Sequence, residues 1–584
     1  MNKSIPLAKE SAHPSLLPGL YLFFYVVCIG LFPFLVLGPF GDRFDKIIPR
    51  ALAYILSIAI GTALLKVARE QVSWTGAALI TGLVYGAVYR LAVFIPDVST
   101  YPFTLGWSEG SRYYYASLFF SQHIYGISVP LSVLHPTRYL MQAAPFLIPG
   151  LPIWVHRLWQ VLLWVVFSLW AAFLLEKRLP VQGRWQKWFF VLWAFLFLLQ
   201  GPVYYHLLVM VILVLWGYDE QKPWRTWLVV LAASAWAGVS RVNWLPVPGM
   251  LAAALYFLET GLQKKSFWRY LLKPAAWTAA GSAVGFVVQK AYTLWSGNPP
   301  AWFGSSFTSD LLWYRLFPSA TYPLGVWPAV FVVTLPLLLI AVLRLAPRWR
   351  DYHPVRWLAL AAILFVLFAG GTVVSAKIGG GSNLHNMDAY LVLLLVTGSF
   401  IAYGKFQPDR GEVDGSFRLP QALLALAVAI PVLFAIGEGN RIPTYDFARA
   451  RSDLAALKQT VEQSAQNGGQ VLFISERQLL TFKDINVPLV PNDEKVFLME
   501  MAMSNNQAYL SQFYDDLRNH RFAYIVSHPL KLNYQGGKHI FGEENDAWVL
   551  HVSEQVLCYY QPQVKMPEVN IWLFTPRSNT GSCP

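Results

Sequence analysis

Residues able to do chemistry at a membrane surface first appear together in the stretch Phe103–Ser117. Glu109 and Arg112 lie there among aromatic residues, shortly after an apolar segment that ends near Ile95. A carboxylate in this place can take a proton from an acceptor hydroxyl or hold a metal that polarises a phosphate. Glu109 is therefore the predicted general base, with Asp97 as the rival catalytic carboxylate. The alternative for each is an ordinary polar residue at a helix end or in a solvated loop.

A second group of polar residues lies at a turn between two short apolar segments. Arg241 and Asn243 are found there, and a charge at membrane depth costs about 2.5–3.5 kcal/mol, so it usually faces a cavity. A guanidinium suits a lipid phosphate because it can bind two of its oxygens at once. The alternative is an arginine side chain that extends to the lipid head groups.

The third group is the glycine-rich polar segment 377–388. Its three consecutive glycines follow Lys377 closely, and their amides and this lysine could hold an anion beside the next helix. His385, Asn386 and Asp388 complete the group. Asp388 has a second interpretation as a helix cap. His385 and Asp388 are also candidate ligands for a divalent metal, although two ligands alone are a weak signal.

Tyr205 and His206 follow the turn Gly201-Pro202 and are predicted to face the same side of the membrane. The alternative to a substrate-binding role is that the two rings form a packed or interfacial aromatic pair. The predicted substrate-binding residues are Arg112, Tyr113, Arg241, Asn243, Lys377, His385, Asn386, Asp388, Tyr205 and His206. No cofactor is predicted beyond a candidate divalent metal.

The composition indicates which kind of protein must position these groups. Of the 584 residues, 55% are hydrophobic and 13% are charged, against about 25% charged in soluble domains. Apolar runs of about 20 residues recur up to residue 437, and each can cross a hydrocarbon layer of about 30 Å. The sequence therefore predicts an α-helical polytopic membrane protein. The net charge of +13 does not indicate nucleic acid, since Lys and Arg concentrate in short loops on one predicted side.

About thirteen spans are predicted, and the basic loops between them place the amino terminus in the cytoplasm. The loop 39–50 disagrees, because it should be external yet carries Arg43, Lys46 and Arg50. The predicted spans are 16–38, 51–68, 74–95, 153–175, 187–200, 203–217, 226–241, 245–260, 274–297, 326–346, 357–376, 387–404 and 420–437.

Three segments are predicted: 1–73 with two additional helices, 74–437 as the catalytic membrane region, and 438–584 as a small extracytoplasmic α/β domain. The membrane region carries the external loop 96–152, in which 110–126 is predicted to be a helix lying on the membrane with its aromatic residues at head-group depth. In the tail, helices at 448–466 and 507–519 alternate with strands at 470–475, 522–527 and 569–574. Cys558 and Cys583 are a candidate disulfide.

The segment Ser108-Glu109-Gly110-Ser111-Arg112-Tyr113 resembles the Asp-Glu-Gly-x-Arg-Tyr loop of GT-C-type glycosyltransferases, which include protein O-mannosyltransferases and aminoarabinose transferases of lipid A. The polar segment 381–390 is similar to a loop before a late helix in bacterial relatives. This resemblance covers about residues 74–437, and Ser108 stands where the family has its first acid. It implies transfer of a sugar from a polyprenyl-phosphate donor to a lipid, glycan or protein acceptor, with inversion of the anomeric centre.

Other functions compete with this one. An O-antigen-type polymerase or ligase would use the same donors but relies on arginines in a large external loop and needs no α/β tail. A catalytically silent protein that binds lipid-linked sugar would fit the incomplete pair of acids. A transporter is disfavoured because the middles of the predicted spans contain almost no Asp or Glu.

Overall fold

The computed structural model describes residues 17–262, 266–380, 384–410, 417 and 419–578. Each of the thirteen predicted apolar segments is a helix, and shorter helices lie in the loops after α3 and α12. The helices up to residue 437 are α1 (Leu17–Leu37), α2 (Ile47–Ala68), α3 (Trp74–Ala92), α4 (Glu109–Ser117), α5 (Ser121–Tyr125), α6 (Pro136–Gln142), α7 (Ile153–Lys177), α8 (Arg184–Gln200), α9 (Tyr205–Gly217), α10 (Pro223–Gly238), α11 (Val247–Glu259), α12 (Phe267–Trp295), α13 (Ser305–Thr308), α14 (Val326–Leu345), α15 (Pro354–Ala376), α16 (Asp388–Ala402) and α17 (Gln421–Gly437).

Eight helices in the described part of the chain are long and apolar enough to cross a membrane: α1, α2, α3, α7, α12, α14, α15 and α16 with the turn before it. This is consistent with a helical multi-pass membrane protein. The other predicted spans, α8, α9, α10, α11 and α17, have 13 to 17 residues. At 1.5 Å per residue they are shorter than a hydrocarbon layer of about 30 Å. Thirteen spans therefore stays a prediction.

The chain divides into two compact units, and the first contains the described residues of 1–95 together with 424–443. These bounds differ from the predicted boundaries at 73 and 437. Arg50 at the start of α2 is buried, and its guanidinium donates to the carbonyls of Phe44, at 3.0 Å, and Glu438, at 2.9 Å. Arg50 therefore satisfies carbonyls at the end of α17, which gives one cation of the loop 39–50 a structural role.

The second unit contains residues 96–423 and the chain from 444 onward. Its last part, residues 444–578, is called the tail domain. A four-stranded sheet in the order β1-β2-β4-β3 forms its centre, with β1 and β2 parallel and the other pairs antiparallel. Its elements are α18 (Phe447–Gln466), β1 (Gln470–Phe473), α19 (Gln478–Thr481), α20 (Lys495–Met503), α21 (Gln507–Arg518), β2 (Phe522–Ser527), α22 (Gly542–Trp548), α23 (Glu554–Tyr559), β3 (Tyr560–Met566) and β4 (Ile571–Pro576).

This arrangement confirms the small C-terminal sheet with helices that the sequence predicts. Strand β2 begins and ends at the predicted residues, 522 and 527. Strand β3 was not predicted, because Gln561, Gln563 and Lys565 interrupt its apolar residues. It lies at the edge of the sheet, where such polar side chains are common. Cys558 is disulfide-bonded and Cys28 is free. The expected partner, Cys583, lies outside the described residues.

The loop 96–152 packs against the tail domain. The Tyr114 hydroxyl donates to the carbonyl of Pro491 at 2.8 Å, and the Tyr115 hydroxyl donates to Glu494 at 2.8 Å. The aromatic side chains at 113, 114 and 115 are buried within the protein. The prediction that they anchor this loop at head-group depth is therefore wrong, and the predicted helix 110–126 is broken into α4, a 3-10 turn and α5.

The loops that carry Arg315 and Gly379 are also bonded to the tail domain. Arg315 is fully buried, and its guanidinium donates to Glu543 at 2.6 Å and to Glu544 at 2.7 Å, both on α22. The amide of Gly379 donates to the same Glu544 at 2.7 Å. Paired and hydrogen-bonded in this way, the buried charges hold Gly379, shortly after α15, against the tail domain.

Candidate functional site

A cavity of about 610 Å³, here called the main cavity, lies within the second unit. The start of α6, the turn after α10, the end of α15 and the residue Glu500 of α20 all contribute to its walls. Its apolar part comes from α12, α15 and the loop around α13. Its chemically active lining residues are His135, Arg138, Tyr204, His206, Arg241, Asn243, Lys377, His385, Asn386 and Glu500. Most of the predicted substrate-binding residues are thus brought together.

Arg241 reaches the cavity from an extended residue between α10 and a 3-10 turn. One guanidinium nitrogen donates to Asp388 at 3.1 Å, and another donates to the amide oxygen of Asn386. Asp388 is fully buried and also accepts a hydrogen bond from the indole of Trp244 at 2.9 Å. Asp388 is not among the described residues that line the cavity, so its role is to position Arg241. The interpretation of Asp388 as the helix cap is wrong, because Asp388 is the first residue of α16 and Met387 is its N-cap, although Asp388 accepts from the amide of Ala389.

Lys377 is paired across the cavity with a residue of the tail domain. Its ammonium donates to Oε1 of Glu500 at 2.7 Å, and the hydroxyl of Ser305 donates to the same oxygen at 2.9 Å. The second oxygen, Oε2, accepts no hydrogen bond from the described residues. Glu500 is therefore the carboxylate of the main cavity, and sequence reasoning did not find it.

Arg138 is a second residue of the cavity lining that the sequence did not predict. It lies on α6, with its guanidinium carbon 4.8 Å from the centre of the Tyr204 ring. Its Nε is buried and has no hydrogen-bond partner in the part of the chain that the structure describes. A buried N–H donor without a partner costs about 1–3 kcal/mol, and an anion in the cavity would satisfy it.

Three histidines line the cavity close to these cations. The rings of His135 and His206 have centroids 6.2 Å apart, and the Tyr204 ring lies 6.1 Å from that of His385. Burial, with a smaller effect of the Arg241 charge, lowers the pKa of His135 to about 4, so this ring is neutral at pH 7. Among the described residues, no group of three or more His, Cys, Asp or Glu is arranged to hold a metal ion.

Glu109 is placed elsewhere, in a buried ion pair at the start of α4. Its carboxylate accepts from Nε of Arg157 at 2.8 Å, from the Leu105 amide at 2.6 Å and from the Tyr113 hydroxyl at 3.2 Å. Arg157 also donates to the carbonyls of Ser99, Tyr101 and Phe103. Glu109 and Tyr113 are outside the described lining of the main cavity. The pair of Glu109 and Arg157 therefore fixes the course of the loop 96–152.

The other predicted site residues, Asp97, Arg112, Tyr205 and His206, lie in different surroundings and do not form one site with Glu109. Asp97 is exposed at the start of the loop. Arg112 is partly buried, and its Nε has no hydrogen-bond partner among the described residues. Tyr205 is fully buried with its ring edge-on to Trp164 at 5.6 Å, as the packing alternative predicted. His206 does line the cavity, and neither of its ring nitrogens is hydrogen-bonded within the described residues.

A comparison of the chain with protein-family models and with curated proteins finds no match. The function is therefore inferred from the geometry of the main cavity. Among the residues that the structure describes, three cations, three histidines and one carboxylate line a single cavity that also has apolar walls. Such a site can hold a phosphate through Arg138, Arg241 and Lys377 and can present one carboxylate to a hydroxyl group.

Proposed function

We propose that the protein transfers a sugar from a polyprenyl-phosphate donor to an acceptor hydroxyl at the membrane surface. The observation that carries the proposal is the meeting of Arg138, Arg241 and Lys377 in one cavity beside an apolar wall. Arginine binds phosphate oxygens in pairs, whereas lysine acts as a point charge. This combination suits the phosphate of a lipid-linked sugar.

The apolar wall supports a lipid as the donor. Gly370, Val373 and Val374 line the cavity on α15, and a methyl group added at Gly370 would meet no atom within 4 Å. The same helix exposes Phe365, and α12 exposes Val287, at 69% and 63% of their surfaces. In a membrane protein such faces contact hydrocarbon, so a polyprenyl chain can lie there while its phosphate enters the cavity.

In this proposal Glu500 replaces Glu109 as the general base. Its Oε2 would take the proton of the acceptor hydroxyl while that oxygen attacks the anomeric carbon. The bond from the anomeric carbon to the phosphate oxygen breaks, and the leaving phosphate keeps the electron pair beside the three cations. A general base contributes about 10²–10⁴-fold to such a reaction. Lys377 and Ser305 both bind Oε1, which holds the carboxylate in place.

The test is transfer by the purified protein in liposomes, with a panel of radiolabelled polyprenyl-phosphate hexoses and pentoses and extracted envelope acceptors. Glu500→Gln is expected to lower the transfer rate at least about 100-fold while donor binding remains. Arg241→Gln should weaken donor binding instead. Arg518→Gln is the matched control, because Arg518 is exposed on α21 and paired with Asp515. Full activity of Glu500→Gln would remove this residue from the reaction. Donor binding without turnover on any acceptor would favour the silent binder.

An O-antigen-type polymerase or ligase is the second candidate, and Arg138 favours it. This arginine comes from the long loop 96–152 and has an unpartnered Nε in the cavity. A polymerase or ligase would transfer a lipid-linked oligosaccharide in a block. Lipid-linked oligosaccharides are therefore added to the donor panel of the liposome assay, and consumption of these donors alone would identify the second candidate as the correct one.

A further inference from the structure

A second pocket, here called the strand-end pocket, lies where the parallel strands β1 and β2 end. It has a volume of about 220 Å³ and is lined on one side by Ser475, Ser527 and His528, which follow or end these strands. Ligands of open α/β sheets commonly bind outside the carboxyl ends of parallel strands. Pockets for drug-sized ligands measure about 300–1,000 Å³, so this smaller one suits a single sugar ring.

The strand-end pocket contains a buried cation without an ion-pair partner. Lys495 is only 5% exposed, and within the described residues its ammonium makes neither a hydrogen bond nor a salt bridge. It lies 5.1 Å from the centre of the Trp107 ring. Burial lowers the pKa of Lys495, although Glu476 and Glu494 oppose this effect. A buried ammonium is costly unless an anion or several acceptors satisfy it.

The nearby carboxylate of Glu476 does not satisfy this cation. Its two oxygens accept hydrogen bonds from Thr104, Gln478 and, at 3.0 Å, the imidazole of His528. Glu476 also has a positive φ of 61°, which a non-glycine residue rarely adopts. The carboxylate of Glu476, just after β1, is thus occupied by hydrogen bonds to its neighbours. Lys495 is left to line the pocket.

Unpartnered hydroxyl and aromatic groups complete the pocket. Ser527 is 1% exposed, and its hydroxyl has no hydrogen-bond partner in the described part of the chain. Trp107 and Trp548 both line the pocket, and Trp107 exposes 51% of its surface. Indole rings cover the apolar faces of flat ligands, while a buried hydroxyl favours a ligand that can donate or accept a hydrogen bond.

We propose that the strand-end pocket binds a saccharide that carries a carboxylate, with the carboxylate at Lys495 and the sugar ring against Trp107. Glu476 and Glu494 both lie near Lys495, so a doubly charged phosphate would be disfavoured more strongly than a singly charged carboxylate. Under the proposed function this saccharide would be the acceptor of the transfer reaction, and that assignment alone rests on the proposed function. The binding itself does not depend on it.

Calorimetric titration of the full-length protein in nanodiscs tests the proposal with two disaccharides that differ in one carboxylate, cellobiouronic acid and cellobiose. The acid should bind at least about tenfold more tightly, since a charge-assisted hydrogen bond contributes about 1.5–3 kcal/mol. Equal affinities would overturn the proposal. Acetate binding as tightly as cellobiouronic acid would also overturn it, because the site would then recognise an anion and no sugar.

Variants locate the binding site. Lys495→Gln should reduce the preference for the acid to less than about twofold, and Trp107→Leu should weaken both sugars. Because Trp107 is half exposed, its replacement tests the pocket even if the buried Lys495→Gln variant does not fold. Lys458→Gln is the control, since this lysine is exposed on α18 and should leave both affinities unchanged. An unchanged preference in folded Lys495→Gln, or unchanged affinities in Trp107→Leu, would place the sugar elsewhere. None of these results depends on transfer activity.

Discussion

Replacing Glu109 by Gln separates a structural role of this residue from a catalytic one. The carboxylate is 5% exposed and bonded to Nε of Arg157 at 2.8 Å. Removing one partner of a buried ion pair costs about 3–5 kcal/mol, because the other charge stays buried without compensation. Arg157 keeps three carbonyl acceptors, at 2.6 to 3.0 Å, and Gln still offers an oxygen. The lower end of the range, about 3 kcal/mol, is therefore expected.

Chemical denaturation of the purified protein in detergent measures this change, together with transfer activity at a temperature where both proteins are folded. The double variant Glu109→Gln, Arg157→Met should be less stable than Glu109→Gln, because it also leaves the carbonyls of Ser99, Tyr101 and Phe103 without their donor. Asp515→Asn is the control, because its ion pair with Arg518 is exposed and screened by solvent, so its loss should leave the stability unchanged. Wild-type stability of Glu109→Gln combined with abolished transfer would refute the structural role and return Glu109 to the reaction.

Three further changes test other parts of the second unit by the same denaturation assay. Burial raises the pKa of Asp493 to about 6, above its unfolded value of about 3.9, so the folded state loses stability as the pH rises from about 4 to 6. Asp493→Asn should therefore stabilise the protein by about 3 kcal/mol at pH 8 and change little at pH 4; equal effects at both values would contradict this. Gly325→Ala should destabilise the protein by more than about 1 kcal/mol, because Gly325 has a φ of +77° and the new methyl would lie 2.5 Å from the carbonyl carbon of Phe317. An unchanged denaturation midpoint would contradict this. Cys558→Ser should cost about 2–5 kcal/mol, and a reductant should destabilise the wild type but leave the variant unaffected.

The helices were predictable because each follows from one continuous stretch of sequence. The segment predicted at 203–217 is the helix Tyr205–Gly217, which shows that apolar runs mark such elements to within a few residues. Strand β3 was not predictable in this way, since its pairing with β4 depends on the folded sheet. Sequence patterns report local structure, whereas edge strands are defined by their neighbours.

The candidate site was only partly predictable, for a related reason. Arg241 lies at a turn between two short apolar segments, so the cost of its burial made it visible in the sequence, and Lys377 was visible because it begins a glycine-rich polar segment. Arg138 lies in a long loop where an arginine is ordinary, and only the folded loop places it beside Tyr204. The pairing of Glu109 with Arg157 joins α4 to α7, and the one signal for it was an arginine close to the start of an apolar segment.

Glu500 is the last of the described residues to reach the main cavity, since the others that line it end with Asn386. Chains are synthesised from the amino terminus and their domains fold as they emerge. A chain interrupted before residue 500 can therefore form every membrane helix and still present Lys377 without its carboxylate. The main cavity therefore gains the carboxylate of Glu500 only when the tail domain folds against it, so a truncated or misfolded tail domain leaves the cavity without this group.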